Sequence, residues 1–199
     1  MSETTAEVGQ VPTSAPPAYA ELVDAFRDMQ SALAASAPPP DIAAALSAEF
    51  RSATERLTAF GADEKQRLAR RPGPSGGGRH PSLIPYRVDE SDDRRLTATV
   101  TFTQAHLGGN GAVHGGMIPL LFDDVLGIFV STAAQPGSRT AFLKVNYRKI
   151  TPVGRPLRVT ASIDAIEGRK TWITGSLLDG DETLADAEAL FLRLLPGQP

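Results

Sequence analysis

The most apolar stretch of the chain, MIPLLFDDVLGIFVSTAA over residues 117–134, limits the folds that this sequence can adopt. It is too long for a strand, and it stops at Gln-Pro-Gly (135–137), which is typical of a helix end. Asp123 and Asp124 lie in its middle, where charges are costly in lipid. The segment is therefore predicted to be a helix buried in a protein core and not a membrane span.

Alternating apolar and polar residues on both sides of this helix predict a sheet. Residues 96–103, LTATVTFT, place four apolar side chains on one face and four threonines on the other. Three or four strands follow the helix, over 140–150, 157–166, 170–178 and 184–194. Short connections containing Glu-Gly and Asp-Gly favour tight hairpins and antiparallel neighbours. The predicted fold class is α+β, with an antiparallel sheet wrapped around one long central helix.

Composition divides the chain into four parts. Residues 1–17 are polar and proline-bearing, so they are predicted to be disordered. Residues 18–70 carry two apolar stripes of helical period and form a predicted helical extension packed on a neighbour; a partner-binding or membrane-surface arm is the alternative. Residues 71–81, RPGPSGGGRHP, form a predicted Gly/Pro linker, and 82–195 form the second domain.

The bulk composition excludes several classes of function. The 199 residues include no cysteine, so disulfides, thiolate nucleophiles and cysteine-ligated zinc are ruled out. A formal net charge of −3 does not favour general binding to nucleic acid, which requires clustered basic charge. The amino-terminal residues have no basic leader and no apolar core, so we expect no signal peptide and a cytoplasmic protein.

A glycine-rich segment, GGNGAVHGG over 108–116, stands directly before the apolar helix. A dinucleotide fingerprint would need a third glycine where His114 stands, and a phosphate-binding Walker loop would need Gly-Lys-Ser/Thr. His106 and His114 lack any metal-ligand spacing with the aspartates, so no metal is predicted. Both the phosphate and the metal interpretations are therefore disfavoured.

The remaining interpretation uses the amino end of the helix. The first amides of a helix have no internal partner and lie at the positive end of its dipole. Gly115 and Gly116 have no side chains to cover these amides, so the amides can hold a carbonyl oxygen that becomes an oxyanion in acyl transfer. The alternative is that the two glycines serve close packing alone. Asp123 shares this face, about two turns on, and a carboxylate there is costly without a role. Asp124, rotated by about 100°, is expected to be solvated or paired at an interface.

The distance between these groups predicts a dimer. Gly115 and Asp123 are eight residues apart, which is about 12 Å along a helix. One carbonyl group cannot contact both on one straight helix. If both serve one substrate, they come from two chains, so we expect a homodimer with its sites at the interface.

The segment GNGAVHGGMIPLLFDD also resembles the signature of hotdog-fold acyl-CoA thioesterases of the 4-hydroxybenzoyl-CoA/phenylacetate type. In that family an Asp follows the His of His-Gly-Gly by nine positions, as Asp123 follows His114. The sequence over 140–157, EGRKTWI and ETLADAEALFLRL are similar to the family's later strands. The resemblance covers about 82–195 and implies a hotdog fold that hydrolyses acyl-CoA in fatty acid metabolism. It also implies coenzyme A as part of the substrate, no other cofactor, and a homodimer or a dimer of dimers.

The resemblance assigns roles to four catalytic candidates. Gly115 would donate its backbone N–H to the thioester oxygen, and Asp123 would act as general base or as nucleophile. Thr140 would orient the attacking water, and His114 would support the loop. The family also contains dehydratases and non-enzymes, so a non-catalytic acyl or acyl-CoA binding protein is the alternative. A protein whose amino-terminal helices recruit a partner is the third hypothesis.

The resemblance also points to substrate-binding candidates. One branch of the family has an Asn six residues before the His, where this chain has Gly108. Asn110 lies out of that register but is kept as a candidate together with Gly116. The acyl tail is expected along the helix near Leu120 or Leu121. The candidates for binding the phosphates of coenzyme A are Lys144, Arg148, Arg169 and Lys170.

Overall fold

The structure, a computed structural model, describes residues 15–70 and 80–198. It contains three α-helices, α1 (Pro17–Ala34), α2 (Pro40–Thr58) and α3 (Met117–Phe129). Its strands are β1 (Tyr86–Ser91), β2 (Arg95–Thr101), β3 (Ser138–Tyr147), β4 (Pro156–Glu167), β5 (Lys170–Asp179) and β6 (Glu182–Arg193). Short 3₁₀ turns lie at Glu64–Gln66, Leu68–Arg70 and Gln104–His106. The predicted linker at 71–81 and the predicted disordered residues 1–17 lie largely outside the described part, and the four domain boundaries stay predictions.

The six strands form one antiparallel sheet in the order β1-β2-β4-β5-β6-β3. Helix α3 lies against β3, β4, β5 and β6, and the sheet wraps around it. The hairpins on either side of β5 turn at Gly168 and Gly180, whose φ angles of 60° and 58° suit glycine. The predicted α+β hotdog architecture with a central helix is confirmed.

The core forms where α3 meets the sheet. Phe122, Val125, Leu126 and Phe129 are fully buried, and a π-helical turn (Val130–Ala134) extends the helix. A side chain at Gly175 on β5 would lie 3.1 Å from Leu126 Cδ2, so this glycine allows the helix to approach the sheet closely. By length and composition Met117–Ala134 could cross a membrane, but it is the core helix of this fold.

Strand β1 is not among the predicted strands. Its sequence, YRVDES, contains a bulge between Val88 and Glu90 that breaks the period of two on which strand prediction depends. Tyr86 is its one buried residue, so the apolar signal is short. The strand is defined by its pairing with β2 and not by its own pattern.

The amino-terminal helices differ in how they attach to the domain. Helix α1 packs on the 3₁₀ turn before the glycine-rich loop, and Ala20 and Val23 are buried there. Arg27 on the same helix donates to the carbonyl oxygens of His80 and Leu83 at 3.1 and 3.3 Å. Helix α2 has no fully buried residue, and Leu46 and Phe50 on its apolar face are half-buried, so the expected packing of this face on a neighbour stays a prediction.

Candidate active site

The glycine-rich loop is a tight hairpin placed before α3. Asn110 and Gly111 both have positive φ angles, 53° and 75°, and Ala112 N–H donates to the Gly109 carbonyl at 3.0 Å. Positive φ at both central residues is the pattern of a type I′ turn, for which Asn-Gly is preferred. Asn110 therefore shapes the tip of the loop, and its proposed contact with substrate stays a prediction.

Gly108 holds the base of this hairpin against the histidine. A Cβ at this position would lie 2.8 Å from His114 Cα and 3.1 Å from His114 N, so no larger residue fits without a backbone shift. Gly109, the next residue, has no such neighbour within 4 Å. Gly108 thus fixes the position of His114, although it cannot supply the side chain that some relatives have there.

His114 organises the amides at the start of α3. Its Nδ1 accepts the Gly116 N–H at 3.0 Å, which requires the neutral ring to carry its proton on Nε2. Its own N–H donates to the His106 carbonyl at 2.8 Å, and its carbonyl accepts the Met117 N–H at 2.9 Å. Within the described residues the Gly115 N–H has no recorded acceptor, so it is the amide in this run that can reach a substrate oxygen.

The far end of β3 supports the same loop. The Tyr147 hydroxyl donates to the Gly115 carbonyl oxygen at 2.8 Å, which fixes the peptide group between Gly115 and Gly116, next to the one that carries the Gly115 N–H. Both residues are exposed in the single chain. The sequence shows Tyr147 only as one more apolar residue of an alternating strand, and nothing in its spacing indicates a contact with the loop.

Asp123 and Thr140 meet at the other end of β3. The Thr140 hydroxyl donates to Asp123 Oδ1 at 2.7 Å. Asp123 is exposed in the single chain although it lies on the core helix, so its carboxylate is accessible to water or substrate. The two residues thus lie in contact, while their catalytic roles stay predictions.

A β-bulge brings Thr140 and Tyr147 to the same face of the sheet. Residues seven apart on a regular strand point to opposite faces, because side chains alternate with a period of two. In β3 the register shifts between Thr140 and Phe142, with Ala141 as the extra residue. The bulge reverses the alternation, so both hydroxyls point towards α3.

Asp124 differs from the expectation that it is solvated or paired at an interface. It is half-buried, and burial raises its pKa to about 6; the nearby Tyr86 hydroxyl opposes this shift and the charge of Asp123 adds to it. Burial also raises the pKa of Tyr86. Among the described residues neither the Tyr86 hydroxyl nor Asp124 Oδ2 has a hydrogen-bond partner of good geometry. Asp124 is therefore a strained feature of the core edge, turned away from Asp123.

The basic candidates for coenzyme A lie apart from these contacts. Lys144 pairs with Glu188 at 3.3 Å, and Arg148 pairs with Asp186, which lowers the pKa of that carboxyl. The Arg169 guanidinium donates to the Arg193 carbonyl at 3.0 Å, and Lys170 is exposed at the start of β5. Three of the four are thus engaged within the chain, and a role with phosphate stays a prediction.

The structure separates the two leucines expected beside the acyl tail. Leu121 is 1% exposed and belongs to the core of this chain, and the expected position of the acyl tail beside it stays a prediction. Leu120 is half-buried and packs against the core from outside. Across residues 15–70 and 80–198, no three His, Asp or Glu residues are grouped so that they could hold a metal ion.

The known proteins that this chain resembles are thioesterases. Residues 110–185 match the model of the thioesterase superfamily. Acyl-coenzyme A thioesterase THEM4 from Mus musculus is 35% identical over 97 residues, which are 47% of this chain and 41% of that protein. The chain thus spans less than half the length of the curated relatives that it matches.

Two solved structures show how far the likeness extends. A crystal structure of a thioesterase superfamily protein aligns with a TM-score of 0.77 and 28% identity, over 92% of this chain and all of that one. That likeness includes much of the amino-terminal region. A protein from Streptococcus mutans, crystallised with acetyl-CoA, shares the fold with a TM-score of 0.51 and 17% identity, over 54% of this chain and 87% of its own. The predicted hotdog fold is confirmed, and the match to the thioesterase superfamily lies within it over residues 110–185.

Proposed function

We propose that this hotdog-fold thioesterase hydrolyses acyl-CoA thioesters to a free acid and coenzyme A. The observation that carries the proposal is the pair of anchored groups along α3. Gly115, whose N–H has no acceptor among the described residues, is held through its carbonyl by Tyr147, and the accessible Asp123 carboxylate is held by Thr140. The curated acyl-CoA thioesterases and the neighbours crystallised with coenzyme A or acetyl-CoA support this substrate class.

The chemistry follows from these two groups. The Gly115 N–H donates to the thioester oxygen, where negative charge develops as the tetrahedral intermediate forms. Asp123, held by the Thr140 hydroxyl, takes a proton from water while the water oxygen bonds to the acyl carbon. The carbon–sulfur bond then breaks, and the proton passes to the departing coenzyme A thiolate. Direct attack by the Asp123 carboxylate is the other route through the same residues.

The proposed site combines two chains. Thr140 and Tyr147 anchor the two groups from opposite ends of β3, which are about 20 Å apart at the usual rise of a strand. Strand β3 is also an edge of the sheet, so its outer backbone groups are available to a second copy. Two antiparallel β3 strands related by a two-fold axis place the Thr140 end of one beside the Tyr147 end of the other.

The remaining features of the proposal concern the surroundings of the site. The phosphates of coenzyme A would bind at its mouth, for which Lys170 is the candidate whose side chain makes neither an ion pair nor a hydrogen bond within the described part of the chain. A homodimer is the minimal assembly, and a dimer of dimers would repeat the same site. A cytoplasmic location and a place in fatty acid metabolism are proposals as well, tested by cell fractionation and by the preferred acyl group.

The direct test is steady-state hydrolysis of an acyl-CoA panel, followed by the release of free thiol. Wild type should turn over at least one thioester, and Asp123→Asn should lose about 10²–10⁴ of the rate, as expected when a general base is removed. Asp124→Asn, which changes the adjacent carboxylate on the same helix, is the matched control and should stay within a few-fold of wild type.

Two outcomes contradict the proposal. Equal rates for wild type and Asp123→Asn would remove the role of that carboxylate. Binding of acyl-CoA without turnover of any thioester would identify a non-catalytic acyl-CoA binding protein instead.

A further inference from the structure

A cavity lies between helix α1 and the amino end of α3. It has a volume of about 270 Å³. Its walls come from α1, from residues 81–85, from the 3₁₀ turn Gln104–His106 and from Met117, the first residue of α3. Helix α1 is thus a wall of a cavity that borders the hotdog domain.

The cavity is continuous with the loop that presents the Gly115 amide. Met117 lies two residues after Gly115, and its N–H donates to the His114 carbonyl at 2.9 Å. His106, on another wall, accepts the His114 N–H at 2.8 Å through its carbonyl oxygen. Two residues that line the cavity therefore also hold the loop, so the cavity lies next to the position of a group bound at Gly115.

The lining suits an uncharged chain and not a phosphate. Leu83, Pro85, Ala105 and Met117 supply apolar surface. Burial lowers the pKa of His106, with a smaller effect from Arg27, so this ring contributes no positive charge near neutral pH. Its Nδ1 already accepts the Thr103 N–H at 2.8 Å.

The positive charge of the α1 wall is already paired. The Arg27 guanidinium donates to two backbone carbonyl groups and pairs with Asp24 at 3.4 Å. Asp24 and Asp28 on this wall would repel an anion. Gln30, which is half-buried beside them, closes the same side with an uncharged polar group.

We infer, on the basis of the proposed function, that this cavity receives the acyl chain and that helix α1 closes its far end and limits its length. A group the size of a water molecule occupies about 30 Å³, so the cavity holds roughly nine such groups. The preferred substrates are then acyl groups of medium length, about eight carbons. Longer chains would have to displace α1.

The experiment fills the cavity from two sides and keeps the loop intact. Gln30→Trp enters from α1, and Ser82→Trp enters from the facing segment. Ala25→Trp is the matched control, because Ala25 is exposed on the same helix outside the cavity. For each protein, kcat/KM is measured from acetyl-CoA to palmitoyl-CoA, and octanoate binding is measured by calorimetry.

Both cavity variants should lose at least tenfold in kcat/KM for octanoyl-CoA and should bind octanoate at least tenfold more weakly. Their rates with acetyl-CoA, and all rates of Ala25→Trp, should stay within twofold of wild type. An unchanged chain-length profile and unchanged octanoate binding in both variants would overturn the inference while leaving the proposed hydrolysis intact. If wild type hydrolyses nothing, the hydrolytic function fails, and octanoate binding alone decides the cavity assignment.

Discussion

The two ends of strand β3 hold the two groups on which the proposed hydrolysis depends. At one end the Thr140 hydroxyl binds a carboxylate, Asp123, which can accept a proton. At the other end the Tyr147 hydroxyl binds the Gly115 carbonyl and leaves the Gly115 N–H facing outwards as a donor. Each half of the proposed site is anchored by one hydroxyl group from the same edge strand, but Thr140 and Tyr147 are about 20 Å apart along that strand, and Gly115 and Asp123 are about 12 Å apart along the helix.

Under the proposed function, one chain contains both parts of the hydrolytic site without assembling them. A substrate carbonyl must contact the donor while the attacking water contacts the base, within hydrogen-bond distance of each. The separation within a chain is too large for that. Pairing two chains through β3 removes this difficulty, because a two-fold axis places the Thr140 end of one strand beside the Tyr147 end of the other.

The strongest test of the two-chain arrangement mixes two inactive variants. Asp123→Asn removes the base, and Gly115→Pro removes the N–H donor, so each variant alone should lose about 10²–10⁴ in rate. When the two are refolded together in equal amounts, random dimers should regain about a quarter of wild-type activity, because half of the dimers have one intact site. Thiol release after mixing measures the recovery.

Failure of the mixture to regain activity would contradict the two-chain site, provided that co-purification of differently tagged variants shows mixed dimers. A monomeric mass for wild type at micromolar concentration would contradict it directly. Recovery above one half of wild-type activity would also disagree with one intact site for each mixed dimer.

The donor end can be tested with two adjacent glycines. Gly108→Ala forces a Cβ to within 2.8 Å of His114 Cα, so the loop must shift and carry the Gly115 amide with it. Misplacement of this size lowers rates by roughly 10²-fold. Gly109→Ala meets nothing within 4 Å and should retain nearly wild-type kcat/KM. Equal rates for the two variants would show that the position of the loop does not control the reaction.

The two anchoring hydroxyls should have smaller effects than the groups that they hold. Thr140→Val and Tyr147→Phe each remove one hydrogen bond, which contributes about 0.5–1.5 kcal/mol, or roughly 2–13-fold in kcat. Thr140→Ser, which keeps the hydroxyl group, should restore most of the rate. A higher KM with unchanged kcat in both variants would assign these hydroxyls to substrate binding and not to positioning.

The smallest expected effect concerns Asp124, which is next to Asp123 but half-buried. Its folded pKa of about 6 is above the ordinary value of 3.8, so the folded state binds more protons and unfolding free energy falls as pH rises between these values. One pKa unit corresponds to about 1.4 kcal/mol, and partial exposure reduces the total to about 1–2 kcal/mol.

Asp124→Asn should therefore be more stable than wild type at pH 8 by about 1–2 kcal/mol, with the difference vanishing near pH 4. Urea unfolding at several pH values measures this, and Asp93→Asn at an exposed position is the control. A variant that is less stable than wild type at pH 8 would show that the Asp124 carboxylate contributes a favourable contact.

The local pattern of apolar and polar residues was sufficient to predict most of the fold. The length of the 117–134 segment and its Gln-Pro-Gly end indicate the core helix, and the strict alternation at 157–166 indicates an internal strand. Strand β1 could not be predicted, because its bulge interrupts the alternation and its pairing with β2 is a long-range property.

The amino-acid sequence already contains the chemistry of the candidate site, because the glycines, histidine and aspartate lie close together along the chain. Their spacing also indicates the need for two chains, since a helix has a fixed rise per residue. The tertiary structure alone decides which residues hold them. The contacts of Thr140 and Tyr147 depend on a single extra residue, Ala141, which reverses the faces of β3. The tertiary structure also decides that Asp124 is half-buried beside Tyr86, because burial depends on β1, which lies far from α3 in the sequence.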